Sequence, residues 1–193
     1  SCASVSVSGG QIGNVKAYYP KSENEEAASD DDYELWKSAL VRLGIMPGSL
    51  QLKKPEDTVT RGQYASLAAA MMKITEYGGE SAFTDVKKSN ALFTAINGLN
   101  EKGYMIGYGN KFKPNDNISA SEAVAVIGRI LGYNRIDYRR SEDMSMYLSV
   151  KEFSDEVMDK ISFKSARQLV TMKDAVHIIY NSLTASRFDD MYT

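Results

Sequence analysis

The segment Thr60-Arg61-Gly62-Gln63 combines groups that could bind a carboxylate. Thr60 is a favoured N-cap residue and Gln63 follows three positions later, so a helix is predicted to begin at Arg61. A cation at that position faces the positive end of the helix dipole, a conflict of about 0.3 to 1 kcal/mol that a bound anion would remove. Arginine can also hold a carboxylate by two parallel hydrogen bonds. The segment therefore predicts an anion site that includes backbone N–H groups of the helix start.

Two structural interpretations of Arg61 stay open beside this one. The side chain could be solvated while its stem covers apolar surface. Alternatively, the guanidinium could form an ion pair with Glu56 or Asp57, which are close in sequence.

Lys54, Lys113 and Tyr108 are further candidates for contacts with an acidic polymer. Both lysines precede a predicted helix start, where they either line a groove or form a solvated loop face; the solvated face is favoured. Tyr108 lies in a turn, where its ring could stack on a sugar. Trp36 could stack in the same way, but its place on an amphipathic helix favours a position in the core. Gly44 is predicted to end that helix.

The composition argues against several other kinds of site. The chain has 193 residues, 23 basic and 25 acidic side chains, one histidine and one cysteine. One His and one Cys cannot form a Cys/His zinc site or a nucleophile and base pair. Counting alone leaves a pair of carboxylates for glycoside hydrolysis open, but no motif singles such a pair out, so we predict no metal, no cofactor and no enzyme activity. A net charge of -2 gives no bulk attraction to nucleic acid, so no nucleic-acid partner is predicted. His177 lies off the apolar stripe of its helix and is predicted to be on the surface.

An internal repeat must position these residues. At a fixed offset of 59, identical or similar residues recur as Leu40/Leu99, Gly44/Gly103, Met46/Met105, Gly48/Gly107, Lys54/Lys113, Pro55/Pro114, Asp57/Asp116 and Thr60/Ser119. A third copy follows at an offset of 52, where Ile118-Ser119 matches Val170-Thr171, although its front half has diverged. Such self-similarity indicates structural units that stack on one another.

Each copy ends in a helix whose start is predictable. The caps are Thr60, Ser119 and Thr171, followed three positions later by Gln63, Glu122 and Asp174. Apolar residues then recur with helical spacing. The sequence therefore predicts an all-α fold of three helix-turn-helix repeats in a pseudo-threefold bundle. The predicted units are a Ser/Gly/Glu-rich tail over 1–29 and repeats over 30–80, 81–133 and 134–193.

Three features outside this pattern need an interpretation. Residues 133–140 carry three arginines and two tyrosines, which could bind single-stranded nucleic acid; pairing with nearby carboxylates is favoured. Cys2 could be the lipid-modified cysteine of a lipoprotein, although a processing boundary is favoured. No apolar run approaches the roughly 18 residues of a membrane helix, so no membrane span is predicted.

The repeats resemble S-layer homology domains. The second copy carries the motifs most clearly, as Phe83-Thr84-Asp85-Val86, Gly103 to Gly109, Phe112-Lys113-Pro114 and Ile118-Ser119-Ala120-Ser121-Glu122. The first copy offers Trp36, Gly44 to Gly48, Lys54-Pro55 and Val59-Thr60-Arg61-Gly62-Gln63, and the third offers Val170-Thr171-Met172-Lys173-Asp174. The resemblance extends over about residues 31 to 185.

This resemblance implies a non-catalytic module that anchors an exported protein to the wall of a bacterium with a Gram-positive type envelope. The implied partner is a peptidoglycan-linked secondary polysaccharide, commonly pyruvylated and held between adjacent repeats by an arginine. Only Arg61 matches that arginine, because Ala120 and Met172 stand at the equivalent positions. At most one such groove is expected, with Arg61, Thr60, Gly62, Gln63, Lys54, Tyr108 and Lys113 as candidates. The alternative is a scaffold within a larger exported protein that no longer binds sugar.

Overall fold

The computed structural model describes residues 28–135 and 142–188. Its helices are α1 (Asp30–Arg42), α2 (Arg61–Met71), α3 (Phe93–Glu101), α4 (Ala120–Ile130), α5 (Met144–Leu148), α6 (Lys151–Glu156) and α7 (Met172–Ser182), with short 3-10 turns at Gly48–Leu50 and Tyr133–Arg135. These two ranges contain isolated β-bridges but no strands, which confirms the all-α class. None of their helices is long and apolar enough to cross a membrane. Cys2, the tail through residue 27, and residues 136–140 of the basic cluster lie outside the described ranges.

Helices α1 and α3 end in the same way. Gly44 has a φ of 70° and its N–H donates to Val41 O at 3.0 Å, while the Ile45 N–H donates to Leu40 O at 2.8 Å. The same two bonds and a φ of 69° recur at Gly103, at the offset found in the sequence. Glycine is favoured there because a side chain strains the left-handed conformation. The predicted stop at Gly44 is confirmed.

The predicted N-caps are also confirmed. The Gln63 N–H donates to Thr60 Oγ1 at 3.2 Å, and the Thr60 N–H donates to Gln63 Oε1 at 3.0 Å. Reciprocal pairs of the same kind begin α1, α4 and α7, at Ser29/Asp32, Ser119/Glu122 and Thr171/Asp174. Each pair satisfies backbone donors that a helix start leaves without an intrahelical partner.

A closed ring of backbone hydrogen bonds joins the residues just before three of these caps. The Val59 N–H donates to Val170 O at 3.0 Å, the Val170 N–H donates to Ile118 O at 3.1 Å, and the Ile118 N–H donates to Val59 O at 2.9 Å. All three side chains are fully buried. The starts of α2, α4 and α7 therefore meet at one buried point.

The first two N–H groups of each of these helices donate to a loop of another copy. The bonds are Arg61 to Asp116 O and Gly62 to Pro114 O, Ala120 to Gln168 O and Ser121 to Ala166 O, and Met172 to Asp57 O and Lys173 to Pro55 O, all between 2.7 and 3.0 Å. The acceptor positions follow the same offsets of 59 and 52 as the sequence repeat. The three-repeat bundle remains a prediction, and this cyclic pattern is the observation in its favour.

Helix α1 packs against α7 and changes the environment of a predicted surface residue. Trp36 is buried, as predicted, and its ring stacks on that of His177 with a centroid distance of 3.6 Å and an interplanar angle of 15°. His177 is only 3% exposed, so its predicted surface position is wrong. The helical pattern of α7 could not show this, because the covering helix comes from a distant part of the chain.

We expect the amide hydrogens of Val59, Ile118 and Val170 to exchange with solvent only on global unfolding. Each amide donates one hydrogen bond of the buried ring, so none of these bonds can break unless the three helix starts separate. Native-state hydrogen exchange in low denaturant should give the three amides one common free energy of opening, equal to that of the whole chain. Faster exchange at Val170 alone would show that the third copy unfolds separately.

Candidate functional site

The Arg61 side chain leaves its own helix and crosses into the second copy. Its Nε donates to Phe112 O at 2.9 Å, its Nη2 donates to Ile106 O at 2.9 Å, and its Nη1 pairs with the Glu122 carboxylate. The guanidinium also lies over two aromatic rings, 4.9 Å from the centre of Tyr108 and 4.8 Å from that of Phe112. Arg61 is therefore a bridge between copies.

Neither structural alternative for Arg61 describes this arrangement. The residue is only 3% exposed, so it is not solvated, and its carboxylate partner is Glu122 instead of Glu56 or Asp57. Local spacing could not predict that partner, because it lies in the next copy. The guanidinium is already paired with a carboxylate of the chain itself, the group that a ligand was expected to supply.

The backbone donors at the start of α2 are also occupied. The Arg61 and Gly62 N–H groups donate to loop carbonyls of the second copy, and the Gln63 N–H donates to the Thr60 hydroxyl. Gly62 packs so closely that a Cβ there would lie 2.9 Å from Pro114 O. These N–H groups are therefore hydrogen-bonded within the chain, and the anion site at this helix start stays a prediction. Thr60, Gly62 and Gln63 start the helix and hold it against its neighbour.

Glu122 joins the helix cap to this bridge. Its Oε2 accepts hydrogen bonds from the Ser119 N–H and hydroxyl at 2.8 and 2.9 Å, and its Oε1 accepts from Arg61 and from the Tyr108 hydroxyl. Burial raises the pKa of this carboxyl, but the hydrogen bonds from Tyr108 and Ser119 and the charge of Arg61 outweigh it, so the pKa is lowered overall. The structure thus stabilises the ionised carboxylate.

We expect acid to weaken the fold through Glu122. Because its folded pKa is lowered, its contribution to the free energy of unfolding is complete above the unfolded pKa of about 4.3 and is lost as the pH falls through the folded value. Urea unfolding midpoints from about pH 7 to about pH 3 should therefore decline less steeply for Glu122→Gln than for the unmodified chain. Parallel curves would show that this carboxyl does not contribute.

A pocket of about 170 Å³ opens beside the bridge. It is lined by Arg61, Met105, Ile106, Tyr108, Ser121, Glu122, Ala125, Val126, Arg129 and Glu142. Tyr108 is half exposed, and burial together with its bond to Glu122 raises its pKa to about 12, so the hydroxyl stays protonated at neutral pH. The pocket thus offers an aromatic face, two guanidinium groups and two carboxylates.

The predicted candidates are only partly brought together. Arg61 and Tyr108 line the pocket, and Lys113 lies next to it, with its Nζ 4.9 Å from the centre of the Tyr108 ring. Lys54 is exposed and is not among the lining residues, and its N–H donates to Asp57 Oδ2 at 2.9 Å. Its predicted solvated position is consistent with this exposure.

Sequence reasoning missed Arg129 and Glu142 and assigned Glu122 to the helix cap alone. Arg129 lies in the last turn of α4 and is 8% exposed. The sequence did contain a signal for Arg129: an arginine within an otherwise apolar helix is expected to be buried, and a buried arginine requires hydrogen-bond or ion-pair partners. In the described ranges, His, Cys, Asp and Glu side chains do not gather in groups of three or more that could hold a metal ion.

Part of the chain matches a known protein family, and the matched segment includes residues that line this pocket. Residues 82–124 match the S-layer homology domain. The chain is 29% identical over 76 residues to Exoglucanase XynX of Acetivibrio thermocellus, an alignment that covers 39% of this chain and 7% of the relative. It is 29% identical over 105 residues to Amylopullulanase of Thermoanaerobacterium thermosulfurigenes, which covers 53% of this chain and 5% of the relative.

The chain thus spans less than a tenth of the length of these two curated relatives. The matched segment contains Tyr108, Lys113 and Glu122, and Arg61 lies before it. The family match therefore falls on the second copy, whose motifs resemble S-layer homology domains most clearly.

Proposed function

We propose that this chain is a non-catalytic anchoring module that binds a peptidoglycan-linked secondary cell-wall polysaccharide, with the pocket beside Tyr108 as its sugar site. The match of residues 82–124 to the S-layer homology domain carries this proposal. The module would act outside the cell, on the wall of a bacterium with a Gram-positive type envelope. Because the two named relatives are far longer than this chain, we propose that such a module belongs to a larger surface protein.

The pocket chemistry suits a sugar. An exposed tyrosine ring can pack against the apolar face of a pyranose, and paired charged groups can donate to and accept from its hydroxyl groups. The charges of Arg61 and Arg129 are balanced by Glu122 and Glu142, so the pocket has no excess positive charge. Recognition there would come from hydrogen bonds and stacking more than from net charge.

A pyruvyl carboxylate on that sugar would pair with Arg129 in preference to Arg61. Arg61 makes three close side-chain interactions. Arg129 has longer ones, to Tyr104 O at 3.4 Å and to a carboxylate oxygen of Glu142 at 4.0 Å, and the Glu142 side chain is 73% exposed. A ligand carboxylate could therefore replace Glu142 without breaking the bridge between copies.

A second candidate function is a scaffold that no longer binds sugar. The pairing of Arg61 with Glu122 favours it, because an internal carboxylate occupies the guanidinium that a ligand would use. The two functions differ in whether the chain binds walls at all.

Co-sedimentation with purified wall sacculi, before and after acid extraction of the secondary polymer, tests the proposal. We expect the chain to pellet only with unextracted sacculi. Tyr108→Ala should weaken binding about tenfold without unfolding the chain, because the ring is half exposed, and Tyr108→Phe should bind nearly as well because stacking is kept.

Leu52→Ala is the matched control, since Leu52 is 93% exposed and lies outside the pocket. Failure of the unmodified chain to pellet with walls of its own source would favour the scaffold. Unchanged binding by Tyr108→Ala would keep the anchoring function and move the sugar site elsewhere.

A further inference from the structure

The Tyr108 ring is in contact with two cations. The guanidinium carbon of Arg61 lies over the ring at 4.9 Å from its centre, and the Nζ of Lys113 also lies over it at 4.9 Å. Cations at such distances are attracted to the π face of an aromatic ring. Sugar stacking needs one face of this ring to be free, so the positions of the two cations decide how a sugar can reach it.

The exposure of the two cations indicates that they lie on opposite faces of the ring. The Arg61 side chain is buried against the second copy, whereas the Lys113 side chain is 45% exposed. Tyr108 is itself half exposed, as expected of a ring with one buried face and one outer face. Two positive groups on the buried face would also repel each other.

The two cations differ in how firmly they are held. The Arg61 guanidinium is fixed by two backbone carbonyls and the Glu122 carboxylate. The Lys113 Nζ lies 3.9 Å from a carboxylate oxygen of Asp116, and both of these side chains are exposed. Exposed ion pairs of this kind contribute little to stability. The Lys113 ammonium can therefore leave the ring at small cost, and the Arg61 guanidinium cannot.

The backbone of Lys113 is fixed even though its side chain is weakly held. Lys113 has a φ of 59°, in the left-handed region that few residues other than glycine adopt. The Asp85 carboxylate supports this conformation, because it accepts hydrogen bonds from the Phe112 N–H at 2.9 Å and from the Lys113 N–H at 2.8 Å. The base of the side chain thus stays beside Tyr108, so the ammonium can return to the ring when a ligand leaves.

We infer that Lys113 is a displaceable lid on the sugar site. Its ammonium covers the outer face of Tyr108 in the free chain, and a sugar ring stacks there only after the ammonium has moved. This inference rests on the proposed function, since it concerns how the sugar reaches the same tyrosine. It predicts that removal of the Lys113 side chain strengthens wall binding, whereas removal of a side chain that contacts the sugar would weaken it.

Calorimetric titration of the full chain with purified wall polymer, released from sacculi by acid extraction, tests this role. Lys113→Ala should bind about two- to fivefold more tightly, the effect of losing one exposed cation–π contact. The substitution keeps both backbone bonds to Asp85, so we expect no change in the unfolding midpoint. Lys113→Arg should bind no more tightly than the unmodified chain, because a guanidinium also covers an aromatic face.

Lys54→Ala is the matched control. It removes the same charge at the equivalent position of the first copy, where Ser49 stands in place of Tyr108. We expect it to leave the affinity unchanged. Lys113→Ala should also give no gain when it is combined with Tyr108→Ala, because the two residues act through one contact.

NMR reports the position of the ammonium directly. In the free chain, the ring current of Tyr108 should shift the ε-methylene proton signals of Lys113 upfield, and Tyr108→Ala should abolish this shift. Addition of the purified polymer to the unmodified chain should move these signals to the positions that they have in Tyr108→Ala.

The outcomes separate this inference from the proposed function. If the unmodified chain binds polymer but Lys113→Ala binds equally or less tightly, the inference is overturned and the anchoring function stays. A ring-current shift that persists in the complex, or a gain that persists in the Tyr108→Ala background, would overturn it in the same way. If neither the unmodified chain nor Lys113→Ala binds polymer, the anchoring function fails and the lid fails with it.

Discussion

Arg61→Ala is expected to lower the free energy of unfolding by about 3 to 5 kcal/mol, the range for a buried ion pair that loses one partner. Three acceptors in the second copy would lose their donor: the carbonyls of Ile106 and Phe112 and the half-buried carboxylate of Glu122. The contacts with the Tyr108 and Phe112 rings would also be lost. Urea unfolding should show a lower midpoint with an unchanged slope.

Arg42→Ala is the matched control, because Arg42 is an exposed arginine in the last turn of α1. We expect it to change the free energy of unfolding by no more than about 0.5 kcal/mol. If Arg61→Ala has an equally small effect, the bridge does not hold the two copies together. A large effect means that loss of wall binding by Arg61→Ala cannot be assigned to a lost ligand contact, so Tyr108→Ala is the sharper test of the sugar site.

Gly107→Ala should destabilise the fold by about 1 to 3 kcal/mol, the usual cost of overpacking. A Cβ there would overlap the Phe83 ring and lie 2.6 Å from the Lys111 carbonyl oxygen. Phe83 is buried against Phe112, so the ring cannot move aside easily. The turn that places Ile106 and Tyr108 beside Arg61 would shift, and we expect wall binding to weaken together with stability.

Gly48 offers a control at the equivalent position of the first copy. A Cβ at Gly48 meets no atom within 4 Å, so Gly48→Ala should change the free energy of unfolding by about 0.5 kcal/mol or less. Thermal or urea unfolding of the two alanine variants measures the difference directly. Equal stability of both would show that the second copy adjusts to a side chain at Gly107 without strain.

The features that sequence reasoning predicted correctly are those set by local chemistry. Thr60 with Gln63 forms a capping box because the two residues lie three positions apart, and any helix that begins there uses the same bonds. Gly44 ends α1 because its backbone is in the left-handed conformation, which glycine adopts with less strain than any other residue. The all-α class follows from the helical spacing of apolar residues, which is visible within each segment of the sequence by itself.

Tertiary structure alone decided which residues come together at the candidate site. Arg61 and Glu122 are 61 residues apart and meet only because the first and second copies pack against each other. Trp36 covers His177 because α1 packs on α7, which the pattern of a single helix cannot show. The donors at the start of α2 are occupied because a loop of the second copy supplies their carbonyl acceptors. Spacing along the chain determines helices and caps; burial and charge pairing depend on which distant surfaces come together in the folded chain.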